Sequence, residues 1–467
     1  MEQIKKAVFA RQKTLAEIYE KHGRLTLAEY VKSWKTRPMS PDNLVVRHLE
    51  VSLRRIYGKE LAAAVAVQFS ENGLVSTIDH HGIFGHPFFL NSNLIFSLKA
   101  GVEFLPVLST SGVSLNNSSW PGCLALTDQG DNRLARLSFF SDDQKTRTVF
   151  KSDRITPARQ SDALGKAAGL GFLSAEQKKQ LSKLLDNVFR QADFANFSDQ
   201  ACFFSHEIWK AVFPSAPRLV YFPLEDLVSG ILAEAVCADP EHILHKLFFT
   251  PEGWGLAEKY FNGARGAFGG GKGSFLFWGL DSKARRFAFV RQGKSLVGGN
   301  KSLGLEPERI AAALQAREIY PTSLVCFLVL LHYGATCIGG FNQTTWLTEI
   351  KNKFAALLAE TGEAEASSAV ASQEAGNFAE GSLAILRNNS GYFKASALDL
   401  YLRRLNYFGL VELAGKMTLA QSIEAELPEV YRIGVPAAEK EAGLMALGLG
   451  EIVKLNGLEE ILSGFSD

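Results

Sequence analysis

The chain has 467 residues, far above the size at which a hydrophobic core becomes marginal, and 46% of them are apolar against 21% charged. The 50 Lys and Arg against 49 Asp and Glu leave a formal net charge of +1, which gives no electrostatic footprint for nucleic acid or an anionic membrane surface. Disordered chains and basic nucleic-acid binders are thereby excluded, and a globular protein of two or three domains is expected at about one domain per ~150 residues.

Five cysteines, Cys123, Cys202, Cys237, Cys326 and Cys337, show no CxxC spacing, which argues against a disulfide framework and a Cys-rich zinc site. The first residues, MEQIKKAVFARQKTLAEIYEKHG, read as an amphipathic helix rather than a secretory leader. The apolar run Leu324–Leu331 is too short to span a bilayer. A cytoplasmic protein without a membrane or nucleic-acid partner is the expectation.

In chain order, residues 1–72 read as a helical segment packing on the core. Apolar positions recur at helical spacing in LVVRHLEVSLRRIY and ELAAAVAVQF, and Asn72-Gly73 ends the pattern. Leu74–Ile78 is then β-like, DHHGIFGH a loop, and Pro87 opens a helix, FFLNSNLIFSLKAG, because an N–H missing at the first helical position is lost from no hydrogen bond. Phe104–Ser109 is a second strand, so strand, helix and strand have βαβ spacing. CLALT, RLARLSFF and TRTVFK add strand-like runs between residues 120 and 150, predicting a mixed sheet. Residues 155–215 return to helical periodicity, and Arg218–Phe222 is a strand followed by the helix LEDLVSGILAEAV. SFLFWGLDSKARRFAFVRQ, residues 274–292, reads as a β-hairpin about Asp281–Ala284. These elements predict an α/β core over 73–358. The Ala-, Ser- and Glu-rich stretch 359–381 reads as a mobile linker or loosely held helix, and 382–467 as a helical unit.

Chemistry concentrates in one loop. Three of nine histidines, His80, His81 and His86, fall beside Asp79 where a strand hands over to a helix. Ligands of open α/β sheets bind at that carboxyl edge, and the positive end of the following helix favours an anion. Gly82 and Gly85 permit close backbone approach. His80, His81 and Asp79 are the candidate proton-transfer or charge-stabilising groups; His86 and Asn91 would hold and orient the anion. Asp79, His80, His81 and His86 could instead bind a divalent metal, although HHxxxxH lacks the regular spacing of helical zinc motifs. A third reading has the imidazoles merely capping backbone carbonyls.

The string VSTIDHHGIFGHPFF, Val75–Phe89, resembles the first strand–loop–helix motif of the bacillithiol-synthesis cysteine ligase family, approximately VVTGQQPGLFGGPLY. Val75, Thr77, Gly82, Phe84, Gly85 and Pro87 match, and Pro106-Val107 falls where the family places its second strand. Asp79 and His80 replace the paired glutamines. The resemblance implies a Rossmann-like core with added helices and a nucleotide or small-molecule pocket at this loop.

Other candidates sit at the same kind of position. Ser109 and Ser111 follow the second strand, and Glu225 follows the Arg218–Phe222 strand beside Asp226; a polar turn and a helix-dipole charge are the competing readings. GAFGGGKGS, Gly266–Ser274, imitates a phosphate loop, but Gly273 separates Lys272 from Ser274 and a strand follows, so only a flexible lid carrying Lys272 is retained. In GGFNQ, Gln343 and Asn342 could recognise a polar ligand, or the turn could be a helix cap. His206 and His332 read as core histidines, and His242 and His245 lack a nearby third ligand. The expected function is a ligase- or transferase-type enzyme binding an anionic, nucleotide-like or carboxylate small molecule at Asp79–Pro87. The alternatives are a metal-dependent hydrolase and a non-enzymatic interaction protein.

Overall fold

Four short apolar runs form a parallel sheet in a mixed α/β protein. The computed structural model describes all residues except 80–82, 84, 118–119, 129, 190–193, 446 and 464–467. Across the sheet the strands run Thr336–Ile338, Leu74–Ser76, Phe104–Ser109, Arg218–Pro223. Leu74 pairs with Thr336, Ser76 with Val107, and Leu105 with Leu219. Apart from Arg218, every residue of these strands is buried, as a parallel sheet covered on both faces requires.

Period-2 alternation sends Leu105, Val107, Leu219 and Tyr221 to one face and Phe104, Leu108, Val220 and Phe222 to the other. Helices Pro87–Ser97 and Phe197–Val212 pack on the first face. The N-terminal pair Leu44–Tyr57 and Lys59–Asn72 covers the second, with Leu224–Ile231, Ser323–His332 and Gln343–Glu360. Each Leu, Val or Phe so buried contributes about 1.5–3 kcal/mol.

Several elements differ from expectation. The central sheet is wholly parallel: the 120–140 strands form a separate antiparallel ribbon, Cys123–Thr127 with Leu134–Ser138. TRTVFK contains no strand; Val149–Lys151 is a 3-10 turn whose Val149 and Phe150 are buried between neighbours. The 274–292 hairpin does form, Phe277–Leu280 with Arg286–Ala288, but Val290–Gln292 leaves it to start a second meander with Ser295–Gly298 and Lys301–Gly304. Thr336–Ile338, hidden in a glycine-flanked run, is an edge strand of the central sheet. No helix among the described residues is long and apolar enough to cross a membrane.

The 359–381 stretch contains the helix Ala364–Ala371, whose buried Val370 joins the second core, and Phe378 bridges Gly339 at the end of the edge strand. Small residues there allow close packing, which composition alone renders as flexibility. Beyond it lies a hairpin, Ile385–Asn388 with Gly391–Lys394, and then helices.

Asn91 fastens this region to the core. Its Nδ2 donates to the Pro87 carbonyl (2.7 Å), and its Oδ1 accepts from the backbone N–H groups of Leu383 and Ala384 (both 2.7 Å). The Ala397 N–H donates to the Gly85 carbonyl (3.1 Å), and Asp399 accepts from the Thr127 N–H and hydroxyl. Replacing Asn91 by Ala leaves two buried N–H groups unpaired, at about 1–3 kcal/mol each. Asn91→Ala is therefore expected to lower the urea midpoint sharply, whereas Asn91→Asp, which keeps the acceptor, loses less.

Candidate functional site

The strand order reverses at Leu74–Ser76. From it the chain crosses to Phe104–Ser109 by way of the helix Pro87–Ser97 on one face, while Thr336–Ile338 is entered and left by helices on the other face. Loops diverging from adjacent carboxyl ends leave a crevice at such a switch point. Here a cavity of about 980 Å³ opens, lined from one side by Ile78 and His86–Phe89 and from the other by Gly340–Gln343. Its volume is within the range of small-molecule sites.

Both loops are locally built for close approach. His86 caps the helix Pro87–Ser97, its Nδ1 accepting the Phe88 N–H (3.3 Å). The Gln343 side chain donates from Nε2 to the Thr77 carbonyl (2.5 Å), joining the loops. A Cβ on Gly340 would collide with the Glu380 carboxylate and crowd the Ile78 side chain, so a larger residue there would displace Glu380.

Part of the wall is aromatic, with Phe88, Phe89, Trp120, Phe341, Trp346 and Tyr392 set among aliphatic, polar and charged side chains. Trp120 has φ 52°, a region that bulky side chains rarely occupy. The Arg136 guanidinium lies 3.3 Å from the Trp120 ring centroid, and the His86 ring packs edge-on at 5.7 Å. Burial, aided by Lys394 and Arg136, holds the His86 imidazole down at about 4, so it is neutral at pH 7.

The charged groups are balanced. Lys394 donates to Glu426 (2.6 Å), which also accepts from Ser382 Oγ. Arg432 pairs with Glu429. Glu380 accepts the Phe341 N–H, and burial pushes its carboxyl up to about 8.

The expected residues distribute unevenly around this centre. His80, His81 and Gly82 lie outside the described residues. Asp79 is buried and does not line the cavity, its carboxyl accepting from Tyr221, whose oxygen accepts from Asn93 Nδ2 (2.8 Å); burial pushes the Asp79 carboxyl up to about 8. His86 and Gln343 line the cavity. Gly85 and Asn91 are engaged in the backbone ties described above. Ser109 ends the second strand, buried beside Pro223.

Ser111 and Glu225 form a closed knot. Glu225 Oε2 accepts from the Ser111 N–H (2.8 Å) and hydroxyl (2.6 Å), and Oε1 from the Gly112 N–H (2.7 Å). Burial raises the Glu225 carboxyl while these donors lower it. It borders a smaller cavity of about 150 Å³ that shares Gln343 and Trp346 with the large one. Lys272 is exposed on a tight turn closed between Gly269 and Lys272, and it lines neither cavity. Among the described residues, no three His, Cys, Asp or Glu converge as a metal site. His206 and His245 bond backbone carbonyls, as core histidines do.

Glu380, Lys394, Trp120 and Trp346 escaped the sequence reading. Glu380 sits in a stretch whose small residues suggest a linker, and Lys394 ends a short run, Gly391–Lys394, that carries no chemical motif. The helix start at Pro87 is legible in the sequence, whereas the capping role of His86 is not. Comparison of the chain with protein-family models and with curated proteins returned no match.

The two raised carboxyls set a pH dependence. In the unfolded chain Asp79 and Glu380 ionise near 3.8 and 4.5, and in the fold near 8. Between these values both carboxyls are protonated in the fold and ionised in the unfolded chain, while His86 and His332, held down near 4 in the fold, act in the opposite sense below about 6.5, so stability is expected to fall as pH rises from about 6.5 to 8 and then level off. Denaturation midpoints measured across that window should show the decline in the wild type, a shallower one in Asp79→Asn, and the shallowest in Asp79→Asn combined with Glu380→Gln.

Proposed function

We propose that the chain is a small-molecule enzyme of ligase or transferase type, with a Rossmann-like core, that binds a nucleotide-like ligand in the switch-point crevice. The planar part of the ligand lies among Trp120, Phe88, Phe341 and Trp346, and its anionic part faces the start of the helix Pro87–Ser97. The single observation behind this reading is the cavity itself: about 980 Å³, opening at the two diverging loops, with several Phe, Trp and Tyr rings and a comparable number of polar groups in its wall. Aromatic rings beside polar groups favour a flat ligand oriented by hydrogen bonds. The resemblance of Val75–Phe89 to the bacillithiol-synthesis cysteine ligase motif supports the same place for the pocket. His80 and His81 remain the proposed proton-transfer groups, with a nucleotide as the proposed cofactor or co-substrate.

Calorimetric titration with adenosine, AMP, ADP and ATP tests the reading. At least one should bind with a single site, and Leu134→Trp, which places a larger ring in the cavity wall, should weaken that binding at least about tenfold, or about 1.4 kcal/mol. Absence of binding across the series, or binding indifferent to Leu134→Trp, would overturn it.

A further inference from the structure

Glu380 stands apart from the other carboxylates of the crevice. It is 9% exposed and lines the large cavity, yet no cation bonds it among the described residues. Lys394, the cation whose charge acts on Glu380, is bonded to Glu426, which is fully buried and also holds Ser382 Oγ. One lysine therefore serves two buried carboxyls, and Glu426 has it. Glu380 Oε2 accepts the Phe341 N–H, while no further hydrogen bond is made by Oε1 among the described residues. A buried carboxyl without a cation keeps its proton, because desolvation disfavours the charged form; burial accordingly pushes Glu380 up to about 8, Glu426 adding to the shift and Lys394 opposing it.

We propose that Glu380 is the hydrogen-bond donor of the cavity: a neutral carboxyl that recognises an acceptor atom, such as a ring nitrogen, on an uncharged planar heteroaromatic group. This deepens the reading of the same crevice as a ligand site and rests on it. The chemistry follows from the surroundings. With Lys394 and Glu426 paired, Arg432 and Glu429 paired and His86 neutral, the cavity offers no net charge to a ring lying between Trp120 and Trp346. A donor among aromatic walls selects rings that carry an acceptor over hydrocarbon rings of the same shape.

Quinoline and naphthalene, which differ by one ring nitrogen, provide the test in ligand-observed NMR titrations. The wild type near pH 6.5 should favour quinoline by about tenfold, the worth of one hydrogen bond. Glu380→Gln, which keeps an N–H donor, should retain the preference, and Glu380→Leu should abolish it. Near pH 9.5 the wild type should lose the preference, because a carboxylate cannot donate. Lys394, His86, Tyr392, Glu429 and Arg432 are the other titratable groups lining the cavity, and Glu426 is a further charge acting on Glu380; an unchanged preference in Glu380→Gln at both pH values separates Glu380 from them. If both probes bind equally to the wild type at pH 6.5, the donor role is overturned while the ligand site stands. If neither binds, the ligand site fails and the donor role with it. Should Glu380→Leu fail to fold, the Glu380→Gln and pH comparisons decide.

Discussion

The reversal of strand order at Leu74–Ser76 is the constraint on which the rest of the structure depends. A parallel sheet cannot turn back on itself without placing consecutive crossovers on opposite faces. The chain after Ser76 must therefore leave toward one face, and the chain after Ile338 toward the other. Between them the backbone cannot close, and the Gln343 side chain ties the second loop to the Thr77 carbonyl of the first. Residues that have nothing in common in the sequence, His86, Gln343, Glu380 and Lys394, meet because of this single topological fact.

The segment after residue 376 turns an open crevice into a walled cavity. It is fixed by polar ties rather than by apolar area alone: Asn91 holds two backbone N–H groups, and Thr127 is bonded to Asp399. Such ties specify one register, since any slip would leave buried donors unpaired. The same segment brings in Glu380 and the Lys394–Glu426 pair, so the polar character of the cavity arrives with its roof. Closing the site and equipping it are one structural event.

Much of the local structure is legible in the sequence. Pro87, Asn72-Gly73, and the apolar runs at 74, 104 and 218 each act through short-range sterics or hydrogen bonding, and each marks a real boundary. What the sequence conceals is long-range. Thr336–Ile338 has only three residues, too few for a period, and becomes a strand because Leu74–Ser76 offers it an edge. Glu380 looks solvated among Ala, Ser and Gly, although those small residues are what let the chain pack at the switch point. Asn91 and Ser111 look like ligand groups, but their polar atoms engage backbone and Glu225 partners hundreds of residues or a full crossover away.

The six tryptophans provide the most direct measurement, because Trp120 and Trp346 line the large cavity whereas Trp34, Trp209, Trp254 and Trp278 do not. In a fluorotryptophan-labelled chain, 19F NMR during titration with AMP should move the resonances of Trp120 and Trp346 together and leave the other four in place. Shifts confined to those four, or a spectrum unmoved by AMP and equally by quinoline, would contradict a ligand site at the reversal of the sheet.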